Sequence, residues 1–156
     1  MRRKDKEIKD LKEIESIINT ATVCRIALSD NNMPYIVPVN FGYRDSCLYI
    51  HSASEGKKIE MIKNNNEICF EIDIAHEILP GKSACHTTMK YYSVIGYGKA
   101  YIIDDSEEKI KALNIIIEHY LPESPHKYSE KMLKKIVIIK VEIGTMTGKK
   151  SGYESN

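Results

Sequence analysis

The sequence predicts a mainly β protein: a small antiparallel barrel with helices at its periphery. Six segments alternate apolar and polar residues at strand period, β-branched and aromatic residues crowd those segments, and short turn clusters join most of them as hairpins. The 156 residues are expected to form one domain, 1–156. A chain of that size buries roughly 70% of its unfolded surface. Residues 1–9 and 147–156, which lack an apolar pattern, are expected to be flexible tails.

A helix is expected from Asp10, which with Glu13 has capping-box spacing; Leu11, Ile14, Ile17 and Ile18 share one face. Val23 to Ser29 then alternates, with Cys24, Ile26 and Leu28 pointing one way. Asp30-Asn31-Asn32 is a turn cluster, and the next strand aligns Tyr35, Val37, Val39, Phe41 and Tyr43. Pro38 removes a ladder donor from that strand, which predicts an edge, a bulge or a backbone face turned to a ligand. Arg44-Asp45-Ser46 turns into the strand CLYIHS, and a helix after Gly56 carries Ile59 and Ile62 before stopping in Asn64-Asn65-Asn66. Ile68, Phe70, Ile72 and Ile74 alternate next. Residues 75–90 read as a long loop of the kind that carries function. In the long strand YYSVIGYGKAYIID, Gly96 and Gly98 predict close approach or bending. Asp105 with Glu108 opens a last amphipathic helix over Ile110, Leu113, Ile116, Ile117 and Tyr120, broken by Pro122 and Pro125. Ile136 to Ile143 closes the set as a strand.

Composition excludes several functions. Basic and acidic residues number 23 and 22, for a net charge of +1, so the chain has no electrostatic footprint for nucleic acid or an anionic membrane. No window approaches the ~18 apolar residues of a membrane span. The opening MRRKDKEIKDLK lacks the apolar stretch of a targeting signal. Cys24, Cys47, Cys69 and Cys85 show no CxxC spacing, and the first three fall in strand patterns as small core residues. A reducing, cytoplasmic setting is expected.

One junction concentrates chemistry. The strand ending in His51-Ser52 leads to Gly56-Lys57-Lys58 at the mouth of a helix. Unpaired helix-start N–H groups, the helix dipole and two ammonium groups suit a phosphate. Such lysines are more often plain solvated charges, and a strand histidine such as His51, sharing a face with Tyr49 and Cys47, is more often structural. Asn40 and Ser93 offer polar atoms for a heteroaromatic ring, and equally suit strand ends. His76, Cys85 and His86 match no closed zinc spacing, so no metal site is expected. Walker-type, GxGxxG and GxSxG motifs are absent.

The segments YIVPVNFGY, LYIHSASEGKK and YYSVIGYGKA, in this order and spacing, resemble the flavin-binding split-barrel superfamily. The likeness is to the pyridoxamine 5'-phosphate oxidase-related branch that includes nitroimidazole-resistance (Nim-type) proteins. The resemblance implies a six-stranded antiparallel split β-barrel and a homodimer holding FMN between its subunits. It further implies that Val37, Pro38, Val39 and Asn40 run along the isoalloxazine ring, that His51 and Ser52 flank the ribityl-phosphate, and that Lys57 and Lys58 hold the phosphate. Ser93 is implied to reach the cofactor from the long strand. The activity implied is electron transfer from NAD(P)H to a small acceptor such as a nitroimidazole, with His51 orienting the cofactor or donating a proton. Tyr92 stands where relatives commonly place arginine. The arginine- and tryptophan-bearing C-terminus of true pyridoxamine-phosphate oxidases is missing, which points away from pyridoxal phosphate synthesis. Two other readings of the same fold remain: a non-enzymatic flavin or haem carrier, with His51, His76 or His86 as axial ligand, and a deazaflavin enzyme.

Overall fold

A computed structural model of the chain describes residues 3–122 and 126–153. Eight strands form one antiparallel sheet: β1 (Glu7–Ile8), β2 (Cys24–Asp30), β3 (Met33–Val39), β4 (Gly42–Arg44), β5 (Cys47–Ala53), β6 (Glu67–Leu79), β7 (Thr88–Ile103) and β8 (Ile136–Ser151). Their order is β3-β2-β6-β7-β8-β5-β4, with β1 added to β8. The sheet does not close. Its two edges, β3 and β4, are separated in the chain only by Asn40 and Phe41. The helices α1 (Leu11–Thr20), α2 (Lys57–Asn64), α3 (Ser106–Tyr120) and α4 (Glu130–Leu133) lie around it.

The mainly β architecture agrees with the sequence, but the expected six strands are eight. β1 and β4, of two and three residues, are too short to show a period. Residues 147–151, expected as tail, continue β8 instead, because backbone pairing to β7 and β1 needs no apolar side chains. The expected loop over 75–90 shrinks to 80–87, since β6 runs on to Leu79 and β7 begins at Thr88. Pro125, expected to help break the last helix, lies outside the described residues.

Two hairpins follow from their turns. Asn31 and Asn32 (φ 49° and 63°) join β2 to β3, and Asp45 and Ser46 (φ 52° and 56°) join β4 to β5. Two consecutive positive φ values give a type I′ turn, whose twist matches that of the strands. Asn and Asp tolerate that conformation better than most residues. Pro38 sits on the edge strand β3, where its missing N–H breaks no ladder on the open side.

Asp10 caps α1 by accepting from the Lys12 N–H at 2.9 Å. Glu13, which the capping-box spacing would turn back to that cap, instead approaches Lys150 of β8 at 3.6 Å. Ile14, Ile17 and Ile18 bury the helix against the inner face of the sheet, where Cys24, Ile26, Leu28, Phe41, Leu48, Ile50, Phe70, Ile72, Val94, Ile139 and Val141 form one core. A β-carbon added to Gly96 would collide with the Phe70 ring, so only glycine fits under that side chain. The neighbouring Gly98 marks a register shift between β7 and β8.

A smaller apolar cluster lies under α3 and α4: Ala112, Leu113, Ile116, Leu133 and Ile138. Lys109, only 3% exposed, crosses it, donating to the Leu133 carbonyl at 2.9 Å and pairing with Asp104 at 2.5 Å. Asp105 caps α3 by accepting from the Glu107 and Glu108 N–H groups, each at 3.0 Å. At its far end the Tyr120 hydroxyl accepts from the Phe41 N–H at 3.0 Å and donates to the Thr22 carbonyl at 2.9 Å. The His119 Nε2 lies 2.6 Å from the Ala21 carbonyl. The C-terminus of α3 is thereby pinned across the break between the two sheet edges.

Candidate functional site

The β5–α2 junction is built as the lysine motif requires. Gly56 precedes α2 with φ 114°, a conformation that side chains disfavour, and no side chain caps the helix. The first intrahelical bonds there are made by the Ile59 and Glu60 N–H groups to the Gly56 carbonyl. The N–H groups of Lys57 and Lys58 come before them and make none within the helix. No heavy atom lies within 4 Å of a β-carbon built on Gly56, so an anion can approach the backbone closely. These residues fit a phosphate group.

The two lysines differ. Lys57 is exposed, with its ammonium 4.8 Å from the centroid of the Tyr35 ring on β3. Lys58 is half-buried, and burial pushes its pKa below the ordinary lysine value. Among the described residues, carboxylates pair with Lys90, Lys99, Lys109, Lys140 and Lys150, but with neither Lys57 nor Lys58. A half-buried cation with no countercharge, beside an uncapped helix start, is a costly arrangement that an anion relieves.

Tyr35 connects this junction to the strand that carries Val37 to Asn40. Val37, Pro38 and Val39 pair with Ile26, Arg25 and Cys24 of β2, and their other edge faces no strand. Val37 and Val39 turn into the core, Pro38 and Asn40 are exposed, and backbone groups on the open edge are available to a ligand. His51 is exposed opposite Ile138 of β8, while Ser52 is buried opposite Val137. Thus the structure brings Lys57 together with Tyr35, a residue that motif reading overlooked. A lysine over an aromatic ring leaves no signature in linear spacing.

Ser93 stands apart from His51. Ile138 pairs with both His51 and Ile103, and Ile103 is ten positions along β7 from Ser93. At strand rise that is roughly 33 Å along β7. Ser93 lies nearer the Pro38 row: it pairs with Asp73 of β6, two residues from Glu71, which aligns with Arg25 and Pro38.

The outer face of the sheet is uncovered where β3, β2, β6, β7 and β8 pass side by side. Ile36, Ile95, Tyr97 and Tyr101 are exposed there, and a hollow of about 440 Å³ opens beside Tyr97 and Tyr101. Cys24 is an inert core thiol, pushed up to about 12 chiefly by burial. His76 and His86 do not converge: Nε2 of the first lies 2.5 Å from Asp73, and Nδ1 of the second lies 2.6 Å from the Ser83 hydroxyl. No set of three metal-ligating residues gathers among the described residues. Among them, too, no helix is long and apolar enough to cross a membrane.

An open antiparallel sheet with helices at its periphery is the architecture of a split-barrel protein, and its uncapped helix start beside an edge strand fits an anion. The chain belongs to the pyridoxamine 5'-phosphate oxidase family, whose sequence model matches residues 10–150. A candidate 5-nitroimidazole antibiotic resistance protein from Bacteroides thetaiotaomicron is 39% identical. The match covers 92% of this chain and 85% of that one, with a TM-score of 0.83. An FAD- and haem-binding protein from Mycobacterium smegmatis shares the fold at 16% identity and TM-score 0.87, covering 97% and 76% of the two chains. A flavocytochrome from Azotobacter vinelandii does so at 17% identity and TM-score 0.87, covering 98% and 72%. No curated protein matches the chain.

Proposed function

We propose that the chain is an FMN-binding oxidoreductase, active as a homodimer, that passes electrons from NAD(P)H to a small acceptor such as a nitroimidazole. The observation that carries the reading is Lys58: a half-buried ammonium without a carboxylate partner, at an uncapped helix start behind Gly56. Lys57 and Lys58 hold the phosphate, and His51 and Ser52 orient the ribityl end. The open edge of Val37, Pro38, Val39 and Asn40 lies along the ring, which supplies the hydride chemistry once bound. The 39% identity to a candidate nitroimidazole-resistance protein supports the choice of acceptor.

The dimer is supported by two features. The outer face around Ile36, Ile95 and Tyr97 carries exposed apolar side chains that none of the described elements covers. The separation of Ser93 from His51 along β7 suits a site to which one subunit gives the phosphate end and its partner gives Ser93.

Replacing both Lys57 and Lys58 by alanine is expected to abolish flavin retention through purification while leaving the fold intact by circular dichroism. Unchanged flavin stoichiometry in the double variant would reject their role. A Soret band in place of flavin absorbance would favour the haem-carrier reading.

A further inference from the structure

A second cluster of titratable groups lies outside the phosphate junction. On the outer face, Arg25 of β2 reaches Asp73 at 2.5 Å and Glu71 at 3.2 Å, both on β6. The other Asp73 oxygen lies 2.5 Å from His76 Nε2. On a regular strand, residues three apart point to opposite faces, so Asp73 and His76 would not meet. They meet here because β6 shifts register between Ile74 and Glu77, with Ala75 at φ 58°. Alanine rarely adopts that left-handed conformation, and a bulge of this kind re-aims the side chain that follows it. An unusual backbone conformation that brings one histidine onto one aspartate calls for a functional explanation.

Arg25, Asp73 and His76 line a hollow of about 350 Å³, with Thr20 to Val23 from the end of α1 and the link to β2 opposite Ile74 and Ala75. Register puts Arg25 beside Pro38 and Cys24 beside Val39, so the hollow adjoins the Asn40 end of the edge strand. Ser93, the β7 partner of Asp73, borders the same cluster.

We propose that this hollow is the acceptor subsite and that His76, aimed by Asp73 and backed by Arg25, donates the proton to a nitro-heteroaromatic acceptor bound there. The inference rests on the flavin reading above. Asp73 receives the Nε2–H and fixes the ring, leaving Nδ1 without a hydrogen-bond partner among the described residues. A nitro group takes one hydride equivalent from the reduced flavin and one proton from His76 Nδ1. One N–O bond breaks, the nitro compound is reduced to a nitroso compound, and water leaves. Reduced flavin, when bound, would supply that hydride and a nicotinamide would restore it, while solvent reprotonates His76. The charged groups facing the imidazole are Asp73 and Glu71 of β6 and Arg25 of β2; Lys90 of β7 is drawn to Glu77, and the end of α1 offers only Thr20 and Thr22 to the hollow.

The test uses the full chain loaded with flavin, as wild type, His76→Gln and Asp73→Asn. Two measurements are made: equilibrium binding of 2-methyl-5-nitroimidazole to the oxidised protein by flavin fluorescence, and anaerobic stopped-flow reoxidation of the photoreduced protein by the same compound. His76→Gln is expected to keep the wild-type flavin content, bind the compound several-fold more weakly, and reoxidise about 100-fold more slowly, within the usual span for loss of a general acid. Its pH profile is expected to differ from that of the wild type. Asp73→Asn is expected to lose about 10-fold with a shifted pH profile. Reoxidation of His76→Gln at the wild-type rate and with the wild-type pH profile would overturn the proposal. So would loss of flavin from that variant, which would make His76 a cofactor ligand. Absence of flavin from the wild type itself would instead bring down the underlying reading, and this one with it.

Discussion

Lys58 carries a desolvation cost that the proposed phosphate site would offset. Burial alone pushes its ammonium below the ordinary value of 10.5, because desolvation penalises the charged form. Between the lowered folded value and 10.5 the unfolded chain binds more protons, so the ligand-free protein gains stability as pH rises through that window. Phosphate binding has the opposite sign, since attraction to the dianion is lost once Lys58 is neutral. Flavin retention measured by ultrafiltration is therefore expected to fall at alkaline pH, beginning below the ordinary lysine value. Lys58→Arg, whose guanidinium stays charged, is expected to remove that fall; an alkaline limb that persists in Lys58→Arg would show that another group controls it. The lysine pair was legible in the sequence because Gly56-Lys57-Lys58 is contiguous. Tyr35 and the Arg25–Asp73–His76 chain were not, since each joins residues from different strands or across a bulge.

At the scale of elements, α3 is held by its buried apolar face and by a tether at its end. Removing the Tyr120 hydroxyl leaves the Phe41 N–H and the Thr22 carbonyl without their shared partner. Tyr120→Phe is expected to cost about 1–3 kcal/mol, read as a lower urea midpoint with unchanged slope. A midpoint equal to wild type would show that the tether contributes nothing. Strands with clean alternation, such as Cys24-Ile26-Leu28 and Ile68-Phe70-Ile72, and the helices started by Asp10 and Asp105, were readable because period and cap coincide. The second half of β6 was not: the bulge at Ala75 changes the phase of the pattern, so Ala75 to Leu79 looks like loop. The end of β8 escaped because Thr147 to Lys150 is polar and is placed by backbone pairing to β7 rather than by an apolar pattern.

At the scale of the whole molecule, two features support the proposed dimer: among the described residues an outer face with exposed apolar side chains, and an edge strand with an open side beside an uncapped helix start. Tyr97 is among the most exposed aromatics on that face. Tyr97→Arg is expected to convert a dimer into a species of 17.9 kDa by sedimentation, with flavin lost in parallel. A wild-type chain that sediments as a monomer yet holds flavin would refute the shared site. The most direct test of the central claim is to identify and quantify the cofactor released by acid from wild-type protein and from the Lys57→Ala, Lys58→Ala double variant. The account predicts FMN at one molecule per chain in the wild type and almost none in the variant. No flavin in the wild type, or equal amounts in both, would contradict it.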